Sequence, residues 1–151
     1  MDKQLFRKTE GRLYNYKSLK AEVANINIEL EEIKRSYKGC SAIEYSEKAA
    51  SGNAFNSVVE NEVMLREKRV QELMDELHRK ELIVKKIENA LNTIKDCERE
   101  YKIIELKYFK KIKTWELIGE CLGLSGDYTR ELCNGIVNRL SKIIFIGEIY
   151  S

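Results

Sequence analysis

The sequence predicts an all-α protein: a long antiparallel, coiled-coil-like helical hairpin followed by a three-helix helix-turn-helix domain. Three observations predict it. The 151 residues include no proline, the strongest helix breaker, so long helices meet no interruption. Apolar residues in the first two thirds recur alternately three and four apart, which keeps one stripe of a helix turned toward a partner helix. In the last third they come in short clusters on either side of a glycine-centred elbow, GECLGLSGDYTREL.

The first helix is expected over about 2–38, with a stripe of Tyr16, Leu19, Val23, Ile26, Leu30, Ile33 and Tyr37. Gly39 is suited to stop it, because glycine takes the left-handed cap conformation without steric cost. Residues 39–56 are small and polar and read as a loop. Ser57 and Glu60 have capping-box spacing for the next helix. Its stripe runs through Val63, Val70, Leu73, Leu77, Val84, Ile87, Leu91 and Ile94, with Arg66 and Lys80 at two positions that should be apolar, and it continues to about Asp96. The stripes can pair within one chain or between two chains. The reading adopted is a hairpin that also forms a homodimer.

Three short helices follow, near 98–110, 114–122 and 126–143. Thr114 can cap the second of them. Gly123 relieves the bend, Leu124 plugs the core and Ser125 caps the third helix. That helix should bury Thr129, Leu132, Ile136 and Leu140, and turn Gly126, Asp127, Tyr128, Arg130, Glu131 and Asn134 outward. The resulting division is 1–97 for the hairpin and oligomerisation region, 98–145 for the helix-turn-helix domain, and 146–151 for a tail.

Here the residues carry a resemblance. EREYKIIELKYF (98–109) and KTWELIGECLGLSGDYTRELCNGIVNRL (113–140) resemble region 4 of bacterial sigma factors, in the E-R-E run, T-W-E-x-I-G, L-G-L-S and a helix ending in R-L. With a long helical front half, the layout is similar to late transcription regulators of the RinA/ArpU type from phages of Gram-positive bacteria. The resemblance implies a DNA-binding transcription regulator, an activator of phage late or packaging genes, acting on promoter or operator double-stranded DNA and able to meet host RNA polymerase. It implies that residues 126–134 form the recognition face and that Thr114, Trp115 and Ser125 touch phosphate. Sigma factors often carry a basic residue where Gly126 stands, so Arg130 becomes the main base reader, since arginine can bond guanine O6 and N7 together. Asp127 can accept from cytosine, Asn134 can read adenine, and Tyr128 can meet a phosphate or a thymine methyl. Lys107, Lys110, Lys111 and Lys113 form a basic cluster beside this face, placed for phosphate neutralisation.

Composition narrows the alternatives. Residues 1–56, 57–100 and 101–151 carry net charges of +2, −2 and +2, so any DNA affinity must come from local placement of charge. Cys40, Cys97, Cys121 and Cys133 form no CxxC pair and His78 is the single histidine, so neither a metal site nor a cofactor is expected. Cys97, Cys121 and Cys133 fall in helical patterns and are expected to be buried free thiols. His78 lies on a charged helix face, and no phosphate loop, nucleophile elbow or paired-acid motif is present, so an enzyme is not expected. No signal peptide or spanning segment is recognisable, which predicts a cytoplasmic, nucleoid-associated protein with no membrane partner. A DNA-packaging component resembling a small terminase and an alternative sigma factor stay open as other functions.

Overall fold

The computed structural model describes residues 2–47 and 53–151, with side chains placed for 2–36 and 58–151. Every described element is helical: α1 (Lys3–Glu47), α2 (Asn53–Asn92), α3 (Glu98–Ile104) running into a π-helical turn (Glu105–Phe109), α4 (Trp115–Leu122), α5 (Gly126–Ile144) and a short α6 (Ile146–Ile149). The all-α hairpin followed by short helices is therefore what forms. Two boundaries in it differ from expectation.

Gly39 does not end α1, which continues to Glu47, and α2 begins at Asn53, ahead of the Ser57 box. A single glycine inside a helix costs only about 1 kcal/mol relative to alanine, and no proline enforces a stop. The remainder of the expected loop, 48–52, lies outside the described residues, as do the side chains of Tyr37 and Cys40. At its other end α2 stops at Asn92 rather than near Asp96. The Thr93 hydroxyl donates to the Ala90 carbonyl at 2.6 Å and the following amides make three-residue turn bonds, which draws the backbone out of the helical ladder.

Packing divides the chain into two compact units, one of residues 1–20 with 82–151 and one of 21–81. In the second unit the stripes behave as their spacing predicts. Val23, Ile26, Leu30 and Ile33 of α1 are half-buried among exposed neighbours, as are Val63, Val70 and Leu73 of α2, and Leu77 is half-buried together with Glu76. Glu22 is paired with Lys80 and Glu29 with Arg69 at 3.5 Å, an order that makes the helices antiparallel. Arg66 and Lys80 sit half-buried at stripe positions. Lys80 keeps its apolar stem on the seam while its ammonium reaches Glu22 and, at 3.3 Å, Glu76. Hydrogen bonds from the ammonium to Glu22 and Glu76 raise the Lys80 pKa. No described side chain of this unit is fully buried.

The other unit holds the core. Leu13 of α1, Ile87, Ala90 and Leu91 from the end of α2, and Ile94 in the turn after it pack with Ile103, Ile104 and Tyr108, and with Cys133, Ile136, Val137, Leu140 and Ile144 of α5. Thr9 is also fully buried, its hydroxyl satisfied by the Leu5 carbonyl at 2.7 Å. The packing unit around the helix-turn-helix thus begins well before residue 98, since its core needs the first turns of α1 and the last of α2. Polar bonds reinforce this. The Tyr108 hydroxyl donates to Glu10 at 2.9 Å and lies 3.8 Å from the Cys133 thiol, and Tyr16 donates to Glu88 at 2.8 Å. Burial pushes the Cys133 thiol up to about 11 and, with the nearby carboxylates, raises both tyrosines.

Candidate nucleic-acid interface

The elbow is built from local chemistry. Gly123 ends α4 at φ 68° and ψ 33°, the left-handed conformation that glycine adopts most cheaply. Its N–H and that of Leu124 donate to the Glu120 and Gly119 carbonyls at 3.4 and 2.9 Å, closing the last turn. Thr114 caps α4 by accepting from the Leu117 N–H at 3.4 Å, and Ser125 caps α5 by accepting from the Tyr128 N–H at 3.2 Å. Each of these exposed hydroxyls keeps its proton free to donate to a phosphate oxygen.

Two glycines set how closely the helices approach. A methyl on Gly119 would lie 2.4 Å from the Leu124 carbonyl oxygen, so α4 can meet the turn only without a side chain there. A methyl on Gly126 would meet the Glu116 backbone nitrogen at 3.2 Å and the Trp115 carbonyl carbon at 3.3 Å. The start of α5 therefore rests on the first turn of α4, and the two positive helix ends lie side by side. Amides of these first turns lack intrahelical acceptors, which makes the locus receptive to anions. Glu116 and Asp127 occupy those same turns and complement the dipoles in the absence of a ligand.

On α5 the inward stripe is Thr129, Cys133, Ile136, Val137, Leu140, Ser141 and Ile144. Leu132, expected within it, is only half-buried. Asp127, Tyr128, Arg130 and Glu131 are exposed at the amino-terminal end, with Tyr128 45% accessible. Gly126 and Asn134 were expected to face outward and are half-buried, Gly126 because it is the contact with α4. Leu117 of α4 is 53% exposed and was absent from the sequence-derived set. Its signal was an apolar residue three positions after the Thr114 cap, off the stripe that buries Ile118.

The basic cluster precedes α4. In the π turn the Lys110 N–H donates to the Glu105 carbonyl at 2.8 Å, and the Ile112 N–H reaches the Leu106 carbonyl at 3.0 Å. Lys111 then takes φ 56°, a conformation that side chains other than glycine enter at a cost. Lys110, Lys111 and Lys113 are exposed. Lys107 lies over the half-buried Trp115 ring, 4.6 Å from its centroid, and so is held against the protein. Arg139 of α5 pairs with Glu100 at 2.6 Å.

Cys97 and Cys121 are exposed, and only Cys133 of the three is buried. Cys97 precedes α3 and is not helical, whereas Cys121 belongs to α4 and is exposed on its outer side. Among the described residues no group of His, Cys, Asp and Glu could hold a metal ion, and no helix is long and apolar enough to cross a membrane.

Charge separates by packing unit in a way that consecutive thirds conceal. The unit containing the helix-turn-helix carries 18 basic and 12 acidic residues, the 21–81 unit 9 and 13, giving net charges of +6 and −4. No protein-family model, curated protein or solved structure matches the chain.

Proposed function

We propose that the chain is a sequence-specific DNA-binding transcription regulator of the phage late-gene kind, reading promoter DNA through α5. One observation carries the reading. α5 buries one face, while Asp127, Tyr128, Arg130 and Glu131 stand exposed at its start, beside the positive end of α4, and exposed Lys110, Lys111 and Lys113 lie in the segment that leads into α4. A helix-turn-helix inserts that part of its second helix into the major groove. Phosphate contacts come from the lysines and the Thr114 and Ser125 hydroxyls, and base contacts from Arg130 and its neighbours. The net +6 of this unit supports the electrostatic part of the reading. Activation of late or packaging genes and contact with host RNA polymerase follow from the sigma-like resemblance.

The regulator acts as a homodimer in this reading. The 21–81 stripes are only half-buried by each other, and a second hairpin would cover them. Two reading heads also double the phosphate contacts available to one complex.

Selection of bound duplexes from a random pool, followed by footprinting, tests the proposal. A consensus sequence is expected. Arg130→Ala should relax discrimination at one base pair by about 1–3 kcal/mol while the thermal melt stays unchanged. Recovery of no preferred sequence would overturn the reading, and a closed ring of many subunits in solution would favour a packaging role.

A further inference from the structure

A second concave feature lies in the helix-turn-helix unit but involves neither α4 nor α5. It is a cleft of about 540 Å³ lined by Lys17 of α1, Asn92 of α2, Lys95, and by Tyr101, Glu105 and Phe109. Its volume is in the range that encloses small molecules. Most of the groups within it are already committed. Glu88 accepts from the Tyr16 hydroxyl and faces Lys20 at 3.7 Å, so that carboxylate is neutralised in place. Lys17 and Lys95 are different: both are exposed at the cleft, and neither has a carboxylate partner among the described residues. Among the described residues the Tyr101 hydroxyl and the Glu105 carboxylate have no hydrogen-bond partner either.

We propose that this cleft binds a small anionic ligand with a planar aromatic part, of the nucleoside monophosphate class. Lys17 and Lys95 supply two unpaired ammonium groups for a phosphate, and charge-assisted bonds of this kind are the stronger ones. Tyr101 supplies ring surface on which a base can stack, beside Phe109, whose ring is tilted against that of Tyr16 with centroids 5.4 Å apart. Asn92, Glu105 and the Tyr101 hydroxyl offer donors and acceptors for a base edge or ribose hydroxyls. Glu105 and Phe109 bound the π turn, a helical irregularity frequent at functional sites. The site stands independently of DNA binding by α5.

The test is titration of the isotope-labelled full chain, followed by amide NMR shifts, with adenosine monophosphate, adenosine and inorganic phosphate as separate probes. Saturable shifts around Asn92, Lys95, Tyr101 and Phe109 are expected with adenosine monophosphate. Affinity for adenosine or phosphate alone should be weaker by about tenfold or more. The double variant Lys17→Ala, Lys95→Ala removes two exposed side chains and should lose the nucleotide affinity with its melting temperature retained. Absence of saturable shifts, or shifts that survive the double variant, would overturn the proposal. Phosphate binding as tightly as the nucleotide would overturn its aromatic half.

Discussion

Leu77 and Leu91 occupy the same position of the α2 repeat two heptads apart, yet Leu77 is half-buried and Leu91 is 3% exposed. The difference lies in what covers the stripe. Among the described residues of the 21–81 unit, the α2 stripe meets α1 alone. In the unit containing the helix-turn-helix it is enclosed by α3, the π turn and α5 as well, and Ile87, Ala90, Leu91 and Ile94 become core. A heptad pattern therefore specifies which side of a helix faces inward, and the number of layers sets how deeply it is buried. The polar content follows the same division. Charged residues at stripe positions, Arg66 and Lys80, fall where the seam is open and long side chains can reach water, and none falls where it is enclosed.

Four perturbations bear on this contrast. Gly119→Ala should have the largest effect, about 3 kcal/mol or more, because a methyl placed 2.4 Å from a backbone carbonyl forces α4 off the elbow. Chemical denaturation monitored by the single Trp115 would report it in the affected unit. A stability comparable to wild type would show that the elbow can relax.

Leu91→Ala and Leu77→Ala form a matched pair. Truncating the enclosed leucine should cost about 3 kcal/mol and the half-exposed one about 1, since the cavity term applies only where surroundings are packed. Equal costs, measured by urea unfolding, would mean that the 21–81 stripe is covered in solution by another molecule, which is the dimer interpretation. Repeating the pair across a range of protein concentrations sharpens the answer.

Alkaline pH should weaken the enclosed unit next. The folded state holds the Cys133 proton at pH values where an unfolded chain releases it, so that contribution is intact below pH 9 and declines as the pH rises toward 11. Tyr16 and Tyr108 are shifted in the same direction. Cys133→Ala should flatten this part of the profile, and an unchanged slope would remove the thiol from the account. Ser125→Ala is the smallest, about 1 kcal/mol for the lost cap on α5. Under the proposed function, binding of this variant to DNA should fall by more than the stability change accounts for if the hydroxyl also touches phosphate.

Much of the candidate interface was legible in the residues because its determinants are local. A left-handed turn at Gly123, caps at Thr114 and Ser125, and a stripe of Thr129, Ile136 and Leu140 each follow from one or two side chains acting on nearby backbone. The same holds for the α1 stripe from Leu19 to Ile33, every member of which is half-buried among exposed neighbours. What escaped depended on contacts distant in sequence. Thr9 and Leu13 gave no sign that they belong to the core around α5, and Gly126 read as a surface residue until α4 was seen against it.

The sequence by itself determined the helical class, the stripes, the elbow and the outward residues at the start of α5, since spacing and backbone preference act within a few residues. Tertiary structure alone decided which helices share a core, because burial is a property of area removed from water by whatever packs alongside. It also decided where charge accumulates. Counting along the chain gives near balance in every third, whereas packing gathers the first 20 residues with the last 70 and leaves a basic unit and an acidic one.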